Sequence, residues 1–299
     1  MTSDSTGPAG PTYPPASISL DHAGAIVRDL TAGAARWERL GFALSPLSRQ
    51  RGRMPGRTEE GSWATANRCA IFKHGYLELI GVVDPAAFNP WTRFLDRFEG
   101  LHLLALRVPN ADAAYAELHE RTRTLNSPVQ RERRLDVDGV ERTMGFRNIF
   151  SIDEHYPEGR YIVLEHQTPE YLWQPRYQTH PNGALALETV FVCADDVPAQ
   201  RNRLATLLAQ PGSEGPDSVV HFSPSGGGSI QLHSSDLFEE RYGWRAPKSP
   251  CFAGVRLRFA SRAQAARIME DNGVNVLRRG GEWYVAPVDT NGFVMRISE

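Results

Sequence analysis

Cysteine is scarce in this chain. Its three copies, Cys69, Cys193 and Cys251, lie far apart and form no CxxC pair, which excludes a disulfide framework and a thiolate zinc site. A reducing, cytoplasmic setting is the expectation. No apolar run approaches the ~18 residues of a membrane span, and the first sixteen residues lack the basic start and apolar stretch of a signal peptide. Rich in Pro, Ser, Thr and Gly, residues 1–16 read as a disordered leader. Charge of one sign is missing too: Lys+Arg number 33 against 35 Asp+Glu, a net charge of -2. Neither a nucleic acid nor an anionic membrane is therefore expected as a partner. The sequence contains no GxxxxGK[ST] loop, no GxSxG elbow and no HExxH helix, and SPSGGGS sits between two strand patterns, which makes it a turn and not a dinucleotide loop.

What is present is a repeat. An apolar strand, an amphipathic helix and several shorter strands recur from near Ile18, Leu101, Leu185 and Cys251, two long units followed by a more compressed pair. In the first unit SISLDHAGAIV reads as a strand, LTAGAARWERLG as a helix stopped at Gly41, and NRCAIFKHGYLELIGV as a hairpin. In the second, Asn110 is the expected helix N-cap; in the fourth, Ser261 caps a helix that stops at Gly273. These patterns predict an α+β fold of four βαβββ modules, with helices covering one face of curved, mixed sheets. The expected organisation is a leader (1–16), an N-terminal domain (17–179) and a C-terminal domain (180–299), joined through TPEYLWQPRYQTHPNGA. The arginine-rich SRQRGRMPGRTEEG reads as an exposed loop.

Laying units one and two over one another brings out His22, Glu78, His102 and Glu165, one possible ligand on the first and last strand of each. Strand alternation puts His22 on a face with Leu20 and Ile26, Glu78 with Tyr76 and Ile80, His102 with Leu104, and Glu165 with Val163. A buried carboxylate needs a cation or a hydrogen-bond network. Two imidazoles and two carboxylates suit one divalent ion, Fe, Mn, Ni, Co or Zn.

The stretch LDHAGAIVRDLTAGAARWERLGF, together with GYLELIG, LHLLALRV and YIVLEH, resembles the vicinal oxygen chelate superfamily, and the N-terminal half is most similar to its glyoxalase-like members. The resemblance implies paired βαβββ modules forming a cup around one metal, with ligands mapping onto His22, Glu78, His102 and Glu165. The C-terminal half departs from the pattern. Glu188, Gln231, Gly254 and Arg296 fall opposite the expected ligands, so no metal set is expected there.

The resemblance implies a metal-dependent isomerase or lyase acting on a small substrate with vicinal oxygens through an enediolate-type oxyanion, with Glu165 or Glu78 as general base. Arg147, Arg160, Tyr161, His166 and His180 are candidate substrate-orienting groups, each of which also fits an ordinary core or surface role; Asn182 accompanies His180. An extradiol-type dioxygenase using His22, His102 and Glu165, and a non-catalytic small-molecule binder, are the competing readings. Either a monomer or a homodimer is compatible with four modules in one chain.

Overall fold

The computed structural model describes residues 17–299; the expected leader lies outside the described residues. The first half runs β1 (Ser19–Val27), α1 (Leu30–Arg39), β2 (Ser48–Arg53), β3 (Glu60–Ile71), β4 (Tyr76–Val82), α2 (Thr92–Leu95), β5 (Gly100–Arg107), α3 (Ala111–Thr122), β6 (Val129–Val137), β7 (Val140–Phe150), β8 (Arg160–His166) and α4 (Pro169–Leu172). The second half repeats the plan with β9 (Ala184–Ala194), α5 (Val197–Leu208), β10 (Ser213–Glu214), β11 (Val220–Phe222), β12 (Ser229–Ser234), α6 (Ser235–Tyr242), β13 (Cys251–Phe259), α7 (Arg262–Asp271), β14 (Val276–Arg279), β15 (Glu282–Val285), α8 (Pro287–Thr290) and β16 (Val294–Ser298). Each half forms one eight-stranded sheet, in the orders β2-β3-β4-β1-β5-β8-β7-β6 and β10-β11-β12-β9-β13-β16-β15-β14. The four-module α+β architecture expected from the repeats is the one observed.

Local chemistry sets the helix starts. The side chains of Asp29, Asn110, Asp196 and Ser261 each accept a backbone N–H in the first turn of the helix that follows, satisfying donors that have no partner within a helix. The central strands β1 and β5 are buried along almost their whole length, because α1 and α3 cover one face while the other lines a cup.

One apolar core runs through both halves. It joins Trp37 and Leu104 of the first to Val190, Phe252 and Phe293 of the second. Polar ties cross the same boundary: Trp37 Nε1 donates to the Thr290 carbonyl at 3.0 Å, and Asn291 Nδ2 donates to that of Gly33 at 3.0 Å. The SPSGGGS turn packs here as well, since Leu20 N donates to Gly227 O at 2.9 Å. Among the described residues no helix is long and apolar enough to cross a membrane.

The central pair of each sheet carries a repeated irregularity. Between β1 and β5, Leu20 pairs with Leu106 and His22 with Ala105, leaving Asp21 without a cross-strand partner; Gly24 pairs with Leu103 and Ala25 with Leu101, leaving His102 without one. Between β9 and β13 the same shifts leave out Glu188 and Ala253. Each module thus has a β-bulge at the same place, with a further shift in the third that leaves out Leu185, and a bulge turns two consecutive side chains out of strict alternation.

Candidate functional site

The concave face of the first sheet encloses a cavity of about 1510 Å³. Its floor is apolar (Ile80, Leu103, Ile162 and Leu164) except where β1 and β4 bring His22, Tyr76 and Glu78 together. His22 is 4% exposed and Glu78 9%. Because Asp21 is the bulge residue of β1, it and His22 act on the same side of the strand, and Asp21 Oδ1 accepts from His22 Nδ1 at 2.7 Å. Its other oxygen accepts from His166 Nε2 at 3.0 Å. Burial opposes ionisation of Asp21, but the hydrogen bonds from His166 and His22 outweigh it and hold the carboxyl well below the usual carboxylate range. An ionised Asp21 fixes the proton of His22 on Nδ1 and turns Nε2 toward the cavity, 3.6 Å from Glu78 Oε2. Glu78 Oε1 accepts from Asn67 Nδ2 on the neighbouring strand. Tyr76 stacks on His22 with ring centroids 4.2 Å apart, and Trp173 packs against both Tyr76 and His166. The result is a buried chain, His166–Asp21–His22–Glu78–Asn67, that meets the cavity at its histidine–glutamate end.

The other residues singled out in the sequence lie elsewhere. His102 and Glu165 do not converge with His22 and Glu78. As the bulge residue of β5, His102 packs between Phe94 and Phe98 and donates from Nε2 to the Phe98 carbonyl at 2.8 Å; burial pushes its imidazole down to about 4. Glu165 points to the opposite face and accepts from Ala111 N, at the start of α3, at 2.9 Å. Arg147 is held on the outside by Asp112 at 2.8 Å. Tyr161 is buried and donates to Glu158 Oε1 at 3.0 Å. His180 ties the halves together through Ile71 O at 2.9 Å and Ala43 N at 3.1 Å, and Asn182 does the same through Leu40 O at 2.8 Å. Arg160 does line the cavity, with its guanidinium engaged by Asp153 and laid 4.9 Å from the Trp91 centroid. Tyr171, Leu172 and Tyr177, in the segment read as a plain connection, also form cavity wall. Alternation alone missed Asp21, although it adjoins His22 in sequence. Cys69 lines the cavity as a thiol: burial, reinforced by the Glu78 charge, pushes it up to about 12, which rules it out as a ready nucleophile.

A family profile described as glyoxalase-like domain matches residues 20–208. The chain belongs to this glyoxalase-like family. Solved structures with similar folds include a hypothetical protein from Staphylococcus aureus (12% identity, TM-score 0.61, covering 94% of this chain and 99% of that one). A triple mutant of 4-hydroxymandelate synthase from Streptomyces coelicolor matches at 13% identity and TM-score 0.57, over 95% and 93% of the two chains. A xylose isomerase-like TIM barrel/4-hydroxyphenylpyruvate dioxygenase fusion protein matches at 11% identity and TM-score 0.58, over 95% of this chain and 49% of that one. No curated protein matches the sequence.

The pairing register tests whether this glyoxalase-like chain can hold the four-ligand metal that its superfamily implies. In module one His22 pairs with Tyr76 and Gly24 with Glu78; in module two Leu103 pairs with Arg160 and Ala105 with Ile162. The residues equivalent to His22 and Glu78 are therefore Leu103 and Ile162, neither of which can donate to a metal. In the second sheet Thr189 pairs with Ser229 and Phe191 with Gln231, and Gly254 pairs with Val294 and Arg256 with Arg296. Thr189 (not Glu188) and Gly254 are therefore the equivalents of His22, and Gln231 and Arg296 those of Glu78. Among the described residues no three His, Cys, Asp or Glu side chains are grouped to hold an ion. The donor set does not fit the expected centre. The second cup is filled instead by α6, whose Phe238 and Tyr242 pack on Phe191.

Proposed function

We propose that the N-terminal cup is the active site of a glyoxalase-like enzyme that moves a proton on a small, largely apolar substrate, as an isomerase or lyase does, with His22 and Glu78 as the acid–base pair. The observation that carries this reading is the buried relay in which an ionised Asp21 orients His22 so that Nε2 faces both the cavity and Glu78. Paired this way, one group takes a proton from the substrate while the other, carrying the shared proton, returns one to a neighbouring atom. Asn67 and Asp21 keep both groups in place and His166 secures Asp21 from behind. His22 and Glu78 are themselves buried, which strengthens the polar contacts they make. No step in this scheme needs a metal ligand that the chain does not supply.

The test is exchange of a carbon-bound proton for deuterium, followed by proton NMR with mandelate, phenylpyruvate and phenylacetaldehyde as probes. The protein is expected to accelerate exchange of at least one probe, and His22→Gln or Glu78→Gln to slow it about 10²- to 10⁴-fold. Asp21→Asn is expected to slow it at least about tenfold and to alter its pH profile. Exhaustive chelation is expected to leave the rate unchanged. Wild-type exchange no faster than buffer with all three probes, or full activity in His22→Gln, would sink the proposal.

A further inference from the structure

The wall above the acid–base pair carries an unbalanced cation. On β6 the side chains alternate between half-buried and exposed, so Arg131, Arg133 and Leu135 face inward while Glu132, Arg134 and Asp136 face out. Arg131 spends its charge on Glu60, 2.7 Å away across the mouth. Arg160 is matched by Asp153, and Arg176 donates to the Asp136 carbonyl at 2.9 Å. Glu78 is already held by Asn67 and His22. Among the described residues Arg133 has neither a carboxylate within ion-pairing distance nor a hydrogen-bond acceptor, although it lines the cavity and its field reaches Cys69 and Tyr76. Tyr76 in turn stacks on His22. Leu135, on the same face of β6, and Met144, the cross-strand partner of Arg133, pack in one cluster with Tyr76 and Cys69, which puts the arginine on the stretch of wall next to the ring that covers the relay.

A half-buried guanidinium without a counter-ion is a site for a planar anion, since a carboxylate can take two of its parallel N–H donors. The remaining lining specifies what the anion is attached to: Phe146, Tyr171 and Tyr177 on one side and Ile80, Leu103 and Ile162 on the floor offer apolar and aromatic contact to a flat body.

We propose that the substrate is an aromatic organic acid whose carboxylate is bound by Arg133, with its ring in the apolar cup and the adjoining carbon over His22. This rests on the reading of the cup as an active site and adds the substrate class to it. Arg133 is a specificity-determining residue, apart from the proton-transfer pair.

The experiment is calorimetric titration of the full chain with 2-naphthylacetate and with its neutral isostere 2-naphthylacetamide. The acid is expected to bind about ten- to a hundredfold more tightly than the amide. Arg133→Met is expected to erase that preference while keeping amide affinity, Arg133→Lys to restore part of it, and Arg133→Gln to repeat the loss with a polar side chain. Equal binding of acid and amide, binding of neither, or a preference that survives in both Arg133→Met and Arg133→Gln would overturn the assignment. His22→Gln separates this from the proposed reaction. If Arg133-dependent preference persists but no probe exchanges, the proton-transfer reading falls and the binding assignment stands; exchange without acid preference gives the reverse.

Discussion

His102 shows how one residue can be structurally important and chemically silent. Buried between two phenylalanines, it stays neutral in the fold because burial holds its imidazole near 4, against about 6.5 for an exposed histidine. Between those two values the unfolded chain takes up a proton that the folded chain refuses. Stability therefore falls as pH drops through the window from 6.5 to 4 and is unaffected by this residue above it. The full effect is on the order of 3 kcal/mol. His233, pushed by burial down to about 3, acts in the same direction. Urea denaturation at pH 7 and pH 4.5 should show the loss, and His102→Gln, which keeps an N–H for the Phe98 carbonyl, should show a smaller one. An equal loss in the variant would mean that other groups dominate acid sensitivity. The same residue marks where sequence reading stopped. Alternation and repeat spacing suffice to find His22 and Glu78, but they set His102 beside them, because a one-residue bulge is invisible to a period-two pattern. Counting back from the helix caps Asp29, Asn110, Asp196 and Ser261 would have aligned His22 with Leu103, Thr189 and Gly254.

At the scale of elements, the relay depends on how closely β4 approaches α1. Gly81 makes that approach possible: a Cβ there would lie 2.6 Å from the Leu30 Cα and 2.7 Å from its Cβ. Neither atom can yield without moving the first turn of the helix. Gly81→Ala is expected to cost about 2 kcal/mol, read as a lowered melting temperature, and to weaken probe exchange because β4 also carries Glu78. A variant as stable and active as the parent would show that helix and strand can separate freely. The strands flanking the cup follow a different logic. Of these only the β3–β4 hairpin was legible in the sequence: the stretch read there as an exposed loop contains β2, and neither β6 with its inward Arg133 nor the closure of the mouth by Arg131 and Glu60 was read. Both depend on how the two edge regions of one curved sheet meet in space, and no local pattern encodes that.

At the scale of the whole molecule, the two sheets share one hydrophobic core instead of owning one each. Trp37 of α1 and Asn291 beside α8 bind across the divide, and Glu158 accepts from Tyr161 of the first half and Gln200 of the second at 3.0 and 2.7 Å. The sequence repeat reads naturally as two independent domains. What it cannot show is that the helices of both halves are covered by each other, because the apolar faces of α1 and α5 look the same whichever partner buries them. Calorimetry of the full chain should therefore give a single transition, with calorimetric and van't Hoff enthalpies in agreement. Two resolved transitions would contradict a common core.

The Arg131–Glu60 ion pair, half exposed at the mouth of the cup, gives this arrangement an evolutionary meaning. In the proposed function recognition falls to hairpin arms that contribute little to the common core, and such a surface ion pair is worth only about 0–1 kcal/mol. The floor with His22 and Glu78, by contrast, is anchored in strands whose loss would unfold the chain. Mutations can therefore accumulate along the rim and change which molecules enter without endangering either the reaction or the fold, a division of labour that lets one scaffold explore new chemistry at its edge while its centre stays fixed.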